Sequence, residues 1–148
     1  MVKPAVILLV EDNPMDVELI MDAFKEARLS NKIQVTNNGK EALKYLFGEE
    51  KFGDRKEYPL PDLILLDLKM PGIDGHDVLR RIKSTEKLKR LPVIILTSSK
   101  DEGDRAMSYD NGANSYLIKP VSFDDFLQVV KQVYDYWLLL NIEPPMSW

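Results

Sequence analysis

Residues 62–75 read DLILLDLKMPGIDG, with four apolar residues in succession directly before the carboxylate of Asp67. The continuous run LILL (63–66) is typical of a strand that other elements cover on both faces. The segment after Asp67 contains a proline and two glycines, which predict a loop. The sequence therefore predicts a buried strand whose carboxyl end carries an acidic side chain.

Other apolar runs recur along the chain and predict the remaining strands. AVILLV (5–10) and VIIL (93–96) have the same continuous apolar character, whereas IQVT (33–36) and SYLI (115–118) are weaker candidates. Parallel strands need helical crossovers, and these take a right-handed path. The order of elements predicts an α/β fold, a doubly wound five-stranded parallel sheet with strand order 2-1-3-4-5.

Five helices are predicted between and after these strands. The first begins at Asn13 as the cap, with Pro14 at the first helical position. Ser122 and Asp125 form a capping box for the last helix. The other three are predicted after Asn38-Gly39, over about 76–83, and from near Asp101 to before Gly112.

Composition limits the kinds of protein this can be. The chain has 148 residues, 45% of them hydrophobic, which predicts one globular domain over residues 1–148. It has no cysteine, so a disulfide framework and a thiolate site are excluded. The net charge of −4, with acids and bases interspersed, argues against nucleic acid as a partner, and no apolar run is long enough for a membrane span or a signal peptide. We expect a soluble, cytoplasmic protein.

The predicted sheet brings acidic residues from distant parts of the chain to one edge. In such sheets ligands bind at the carboxyl ends of the strands where the strand order reverses, here between the first and third strands. The first strand runs into Glu11 and Asp12, and the third runs into Asp67. The fourth and fifth strands end at Thr97 and Lys119, which add a hydroxyl and an ammonium group to the same edge.

These residue types favour phosphoryl chemistry. Three clustered carboxylates repel one another, so they either share protons or hold a hard cation, and Mg²⁺ suits an oxygen-only cluster. With positive charge from a cation and from Lys119, the carboxylate of Asp67 can attack a phosphoryl group and form an aspartyl phosphate. Thr97 can then donate its hydroxyl to a phosphoryl oxygen.

Four motifs together resemble the receiver domain of two-component response regulators. They are VEDNP (10–14), LILLDLKMPGIDG (63–75), ILTSS (95–99) and YLIKP (116–120). Their order and spacing agree with the common receiver pattern, and the resemblance runs from about residue 6 to residue 133. It implies a flavodoxin-like receiver fold and a protein that is not an enzyme. Its phosphoacceptor is Asp67, which a histidine kinase or a phosphotransfer protein phosphorylates.

The resemblance also implies a set of Mg²⁺ ligands. Asp12 and Asp67 bind the ion with their side chains, and Glu11 acts on it through water. The backbone carbonyl of Lys69 is a further implied ligand.

A switch is implied as well. Phosphate on Asp67 draws Thr97 inward, the aromatic side chain of Tyr116 follows, and the face made by the fourth helix, fifth strand and fifth helix repacks. Tyr116 can equally be read as a core aromatic. The bond between Lys119 and Pro120 is expected to be cis, and His76 is expected on the surface.

Two segments depart from short receivers. The mixed-charge segment FGEEKFGDRKEYPLP (47–61) should lie at the amino ends of the strands, and it is either a tolerated insertion or a contact for the kinase. We divide the chain into a core of about 4–135 and an extended helix and tail, 136–148. Phe126, Val130, Val133, Trp137 and Leu140 form one long helical stripe, which Leu138 and Leu139 broaden.

The long stripe predicts a homodimer formed through the last helix and tail. The loop and the tail together resemble small stand-alone regulators associated with bacterial phytochrome kinases. Only three residues follow Pro144-Pro145, too few for a DNA-binding output module, so we expect the domain either to present a changed surface to another protein or to pass the phosphoryl group on.

Three other functions are alternatives to this one. A haloacid dehalogenase-type hydrolase needs a second aspartate two residues after the nucleophile, where this chain has Lys69. A flavodoxin-like cofactor binder needs an uncharged phosphate loop, where this chain has Glu11 and Asp12. A receiver-like scaffold that works without phosphorylation stays open.

Overall fold

In the computed structural model, which describes residues 5–29, 31–140 and 142–145, five parallel strands form one sheet in the order β2-β1-β3-β4-β5. The strands are β1 (Val6–Val10), β2 (Lys32–Thr36), β3 (Leu63–Leu66), β4 (Val93–Thr97) and β5 (Ser115–Ile118). The helices are α1 (Pro14–Glu26), α2 (Gly39–Phe47), α3 (Gly75–Ser84), α4 (Glu102–Asp110) and α5 (Phe123–Val133). The predicted doubly wound α/β fold and its strand order are confirmed.

The two faces of the sheet are covered by different helices. On one face Leu8, Ile64 and Ile95 belong to a core cluster with residues of α2 and α3. On the other face Ile7 and Leu65 pack in a second cluster with residues of α1 and α5. Because successive strand residues point to opposite faces, continuous apolar runs are needed to fill both clusters.

The helices begin at capping side chains near the carboxyl ends of the strands. The Asn13 side chain accepts a hydrogen bond from the backbone of Met15 at 2.9 Å, with Pro14 at the first helical position. The Ser122 hydroxyl accepts from the backbone of Asp125 at 3.2 Å. Asn38, Asp74 and Asp101 cap the other three helices in the same way. Such caps stabilise a helix by about 1 kcal/mol and fix where each helix leaves the edge of the sheet.

The segment 47–61 is ordered and packs against α2. It contains a 3₁₀ turn, Glu50–Gly53, and places Phe52 and Tyr58 against Tyr45, with ring centroids 5.1 Å and 6.0 Å from the Tyr45 ring. As predicted, the segment lies at the amino ends of the strands, where Lys32, the first residue of β2, donates to the carbonyl of Glu57 at 2.8 Å. Whether it also contacts a kinase stays open.

One prediction about the backbone is wrong. The peptide bonds of the described residues are all trans, so Lys119-Pro120 is not cis; a trans bond before proline is favoured by about 0.5–1 kcal/mol unless contacts reverse the preference. The predicted long last helix is present: α5 ends at Val133, and a π-helical segment, Tyr134–Leu140, follows it directly.

The first part of that stripe is still buried. Phe126, Val130 and Val133 belong to the core, and Trp137 is half-buried against it. The predicted contributions of Leu139 and Leu140 fall on side chains outside the described residues. No helix within 5–29, 31–140 or 142–145 is long and apolar enough to cross a membrane.

Candidate functional site

Three carboxylates meet at the carboxyl ends of β1 and β3. One oxygen from each of Glu11, Asp12 and Asp67 lies within 4.8 Å of the other two. The backbone fixes this approach, because Asp67 donates its amide to Val10 at 3.1 Å, and Glu11 donates to Thr36 at 3.1 Å. Glu11 is 1% exposed and Asp67 is 5% exposed, so both charges sit in a largely water-excluded position.

The carboxylate of Asp67 has one partnered and one free oxygen. Its Oδ2 lies 3.3 Å from the Nζ atom of Lys119, whereas Oδ1 is buried and has no hydrogen-bond partner among the described residues. An unpaired buried carboxylate oxygen is costly, and a divalent cation satisfies it. The oxygen-only ligand set fits Mg²⁺ or a similar hard ion.

Lys119 connects the acidic cluster to β5. Its Nζ atom lies 2.5 Å from Glu11 and 2.8 Å from Asp16, in addition to the contact with Asp67. Burial alone would lower the pKa of Lys119, but the hydrogen bonds to Asp16 and Glu11 outweigh it and raise the pKa above its ordinary value. The ammonium group therefore stays charged, and the excess of carboxylates around it leaves the site negative.

Asp16 is a site residue that the sequence reasoning missed. It lies in the first turn of α1, four positions after Asp12, where an acidic residue is also favoured by the helix N-terminus alone. Its proximity to Lys119 joins residues 103 positions apart in the chain. The sequence does contain one indication of this position. The first helix is predicted to begin at Pro14, close to the carboxyl end of the first strand, so side chains of its first turn can lie near the acidic cluster.

Glu11 is the carboxylate whose protonation is most changed. Burial, reinforced by the charge of Asp67, raises the pKa of Glu11 to about 7 despite its hydrogen bond to Lys119. Without a bound cation, Glu11 therefore carries a proton part of the time near neutral pH.

Thr97 and Tyr116 are joined through one residue of the β4–α4 loop. Thr97 is fully buried, and its Oγ1 atom accepts a hydrogen bond from the backbone amide of Ser99 at 3.3 Å. The Tyr116 hydroxyl donates to the carbonyl of the same Ser99 at 2.9 Å, while its ring packs against the core. Tyr116 is thus a core aromatic with one hydrogen bond to the β4–α4 loop, and its switching role stays a prediction.

His76 is buried, so the predicted surface position is wrong. Gly75 explains why: a Cβ atom there would collide with the carbonyl oxygen of Asp67, so α3 begins in close contact with the strand end. The next residue, His76, is then directed into the gap between α3 and α4, where its Nε2 atom lies 3.2 Å from Asp104. The side chain of Lys69 reaches the same carboxylate, with its Nζ atom 3.1 Å from Asp104, and the ligand role of its carbonyl stays a prediction.

Residues 7–131 of this chain match the sequence family described as the response regulator receiver domain. The chain belongs to the response regulator receiver family. Receiver domains of this family take phosphoryl groups from histidine kinases.

Two curated relatives match this chain over most of their own length. The probable methanogenesis regulatory protein FilR2 of Methanothrix harundinacea is 44% identical over 141 residues, covering 95% of this chain and 88% of that protein. Response regulator Rcp1 of Synechocystis is 37% identical over 135 residues, covering 91% of this chain and 90% of that protein.

Solved structures of relatives superpose closely. The phosphorylated cyanobacterial phytochrome response regulator RcpA has a TM-score of 0.89 at 37% identity, covering 97% of this chain and all of that one. The Mn²⁺-bound form of Rcp1 has a TM-score of 0.85 at 35% identity, covering 96% of this chain and all of that one. A divalent ion is thus bound in a relative, and the acidic cluster here has the ligands for one.

Proposed function

We propose that this receiver domain is a Mg²⁺-dependent phosphoacceptor that receives a phosphoryl group on Asp67 and then changes a protein-binding surface. The observation that carries this proposal is the buried, unpaired Oδ1 atom of Asp67, which lies beside two other carboxylates and the Lys119 ammonium. A nucleophile needs a free oxygen, and a phosphoryl group needs nearby positive charge.

The transfer step uses groups of this chain. An oxygen of Asp67 attacks the phosphorus of a phosphohistidine, the phosphorus–nitrogen bond breaks, and the imidazole of the donor leaves. Lys119, held in place by Glu11 and Asp16, offsets negative charge on the incoming phosphoryl oxygens. A Mg²⁺ ion would add further positive charge if bound by the side chains of Asp12 and Asp67, by Glu11 through water, and by the carbonyl of Lys69.

The response runs through the β4–α4 loop. A phosphoryl oxygen on Asp67 attracts the hydroxyl of Thr97, which now accepts a hydrogen bond from Ser99. Ser99 also holds the Tyr116 hydroxyl, so a shift of Thr97 reaches the aromatic side chain and the face formed by α4, β5 and α5. The phosphoryl group then biases a two-state surface.

A homodimer formed through the last helix and tail belongs to this proposal. Val121 and Tyr136 are exposed beside α5, and a groove of about 120 Å³ lies between Tyr136, Trp137 and β5. Sedimentation at several concentrations tests the dimer, with Tyr136→Glu expected to give a monomer and Gln128→Glu, an exposed position on α5, as the control. Equal association of both variants would contradict this interface.

The remaining assignments follow from the family. We propose that residues 1–148 form one receiver domain, with a core of about 4–135, and that it functions as a cytoplasmic signalling protein without catalytic turnover of its own. Its donor is a histidine kinase or phosphotransfer protein, and the similarity to RcpA and Rcp1 supports a phytochrome-type kinase. Phosphotransfer profiling against a phytochrome-type kinase and an unrelated kinase tests this choice.

Intact mass spectrometry tests the central proposal. The protein is incubated with acetyl phosphate, with and without Mg²⁺, beside the variant Asp67→Asn. We expect one added phosphoryl group in the presence of Mg²⁺ and none on Asp67→Asn. If wild type gains no mass, or if Asp67→Asn is labelled at the native rate, the phosphoacceptor assignment is wrong and a scaffold that works without phosphorylation becomes the better explanation.

A further inference from the structure

Helix α4 is attached to the protein mainly by polar contacts. Of its nine residues, all of them described, only Ser108 is buried, while Met107 and Tyr109 are exposed. A helix with so little apolar burial depends on directed hydrogen bonds and ion pairs for its position. Most of these contacts converge on Asp104.

The carboxylate of Asp104 contacts three separate parts of the chain. Its Oδ2 atom accepts a hydrogen bond from the Ser99 hydroxyl at 2.6 Å and lies 3.1 Å from Lys69 Nζ. Its Oδ1 atom lies 3.2 Å from His76 Nε2. The Asp104 side chain is 16% exposed, so the β3–α3 loop, α3 and the β4–α4 loop meet at one largely enclosed charge.

Two of these partners are close in sequence to the phosphoacceptor machinery. Lys69 comes two residues after Asp67, and Ser99 comes two residues after Thr97. Ser99 also contacts both Thr97 and Tyr116 through its backbone. The Asp104 carboxylate therefore holds the β4–α4 loop in place through Ser99. It also determines where the Lys69 ammonium lies.

The negative charge of Asp104 is stabilised by its neighbours. Its hydrogen bond from Ser99, assisted by His76 and Lys69, lowers the pKa of Asp104 to about 2. The carboxylate is thus ionised across the physiological range, and it draws Lys69 toward α4.

We propose that Asp104 is a positioning residue that sets the lifetime of the phosphoryl group on Asp67 by holding Lys69 and Ser99 at α4. The inference rests on the proposed phosphoacceptor function. In hydrolysis a water oxygen attacks the phosphorus, the bond from phosphorus to the Asp67 oxygen breaks, and both water protons leave with dihydrogen phosphate. A Lys69 ammonium released from Asp104 pairs with the phosphoryl oxygens instead and obstructs the water, so hydrolysis slows.

The decay of the phosphorylated protein tests this inference. Wild type and variants are labelled with acetyl phosphate and Mg²⁺, the donor is removed by rapid desalting, and the phosphorylated fraction is followed by intact mass. We expect Asp104→Asn to lose phosphate about tenfold more slowly than wild type, the size expected for one charge-assisted contact. Glu102→Gln removes the same charge from an exposed position on the same helix, and its decay should stay within about twofold of wild type.

A second substitution separates positioning from a structural effect. In the double variant Asp104→Asn with Lys69→Met no ammonium is available to be released, so the slowing should disappear relative to Lys69→Met alone. Asp104→Glu keeps the charge and should restore decay to within about threefold of wild type, which covers the case that Asp104→Asn folds poorly.

The outcomes are distinguishable. Equal decay of Asp104→Asn and wild type overturns the inference, and so does a double variant that decays about tenfold more slowly than Lys69→Met alone. Neither result affects the phosphoacceptor assignment, because the protein is labelled in both. If wild type takes up no phosphoryl group, the proposed function is wrong and this inference falls with it.

Discussion

The Nζ atom of Lys119 lies 2.8 Å from Asp16, a residue of α1, and 3.3 Å from Asp67, which directly follows β3. Asp16 therefore competes with the phosphoacceptor for the same ammonium group. While Asp16 holds Lys119, less positive charge is drawn onto Asp67, and a cation can approach the free oxygen of that carboxylate. Asp16 therefore influences how closely the Lys119 ammonium pairs with the carboxylate of Asp67.

We predict that Asp16→Asn weakens Mg²⁺ binding. Without Asp16, Lys119 pairs more closely with Glu11 and Asp67, and this pairing competes with the ion. Isothermal titration calorimetry should show about a three- to tenfold lower affinity, which corresponds to roughly 1 kcal/mol. Asp22→Asn, an exposed position on the same helix, serves as the control. Identical affinities of the two variants would show that Asp16 does not influence the ion.

We also predict that Mg²⁺ binding depends on pH through Glu11. The pKa of Glu11 is raised to about 7, so below that pH the side chain is mostly protonated and must release its proton for the site to gain full negative charge. Apparent affinity should therefore rise as the pH increases from about 6 to about 8, with up to one proton released per ion. Calorimetry in buffers of different ionisation enthalpy counts that proton.

The variant Glu11→Gln is the control for this pH effect. It has no proton to release at this position, so its affinity should be lower at pH 8 and nearly flat over the same range. If the two proteins show parallel pH profiles, another group is responsible for the linkage.

The sequence predicts the strands and the acidic residues that follow them, because a strand and its end can be identified from residues that are adjacent in the chain. LILL (63–66) predicts a buried strand on its own, and parallel topology then brings its end to that of β1. By contrast, the pairs Asp16–Lys119 and His76–Asp104 join elements whose relative rotation no local pattern specifies. The sequence does not predict the burial of His76, because this burial follows from the close contact between α3 and the Asp67 backbone at Gly75. Only the packed structure shows that contact.

The segment 47–61 illustrates the same limit. Its mixed charge predicts an exposed loop, and most of its residues are exposed. Arg55, however, donates to the carbonyls of Tyr45 and Leu46 at 2.8 Å and 2.9 Å, and so satisfies acceptors at the end of α2. The path of the loop decides which charged residue of the segment reaches these carbonyls. Composition alone does not specify that path.

We predict that Arg55→Ala lowers the free energy of unfolding by about 1–2 kcal/mol, because the carbonyls of Tyr45 and Leu46 lose the guanidinium donors, although Tyr45 keeps the backbone amide of Gly48 at 3.1 Å. Urea denaturation measures the change, and Lys56→Ala, a neighbouring exposed position, should change stability by less than about 0.5 kcal/mol. Phosphorylation of Asp67 by acetyl phosphate should be unaffected, since Arg55 lies at the opposite edge of the sheet. Equal stability of the two variants would show that the loop contributes no cap.

The final prediction concerns Gly75, where α3 approaches the phosphoacceptor strand. A Cβ atom at this position would collide with the carbonyl oxygen of Asp67 and come within 2.6 Å of the Leu68 backbone. Gly75→Ala must therefore shift either the start of α3 or the Asp67 backbone. We expect a loss of at least about 2 kcal/mol in unfolding free energy and slower labelling by acetyl phosphate.

Gly72→Ala provides the comparison for Gly75→Ala. Gly72 has a φ angle of 78° but open space around its missing side chain, so the substitution costs only backbone strain, about 1 kcal/mol. Labelling of Asp67 should be closer to wild type in Gly72→Ala than in Gly75→Ala at equal fractions of folded protein. If both variants label at the same rate, the contact between α3 and Asp67 does not position the phosphoacceptor, and the effect of Gly75 is on stability alone.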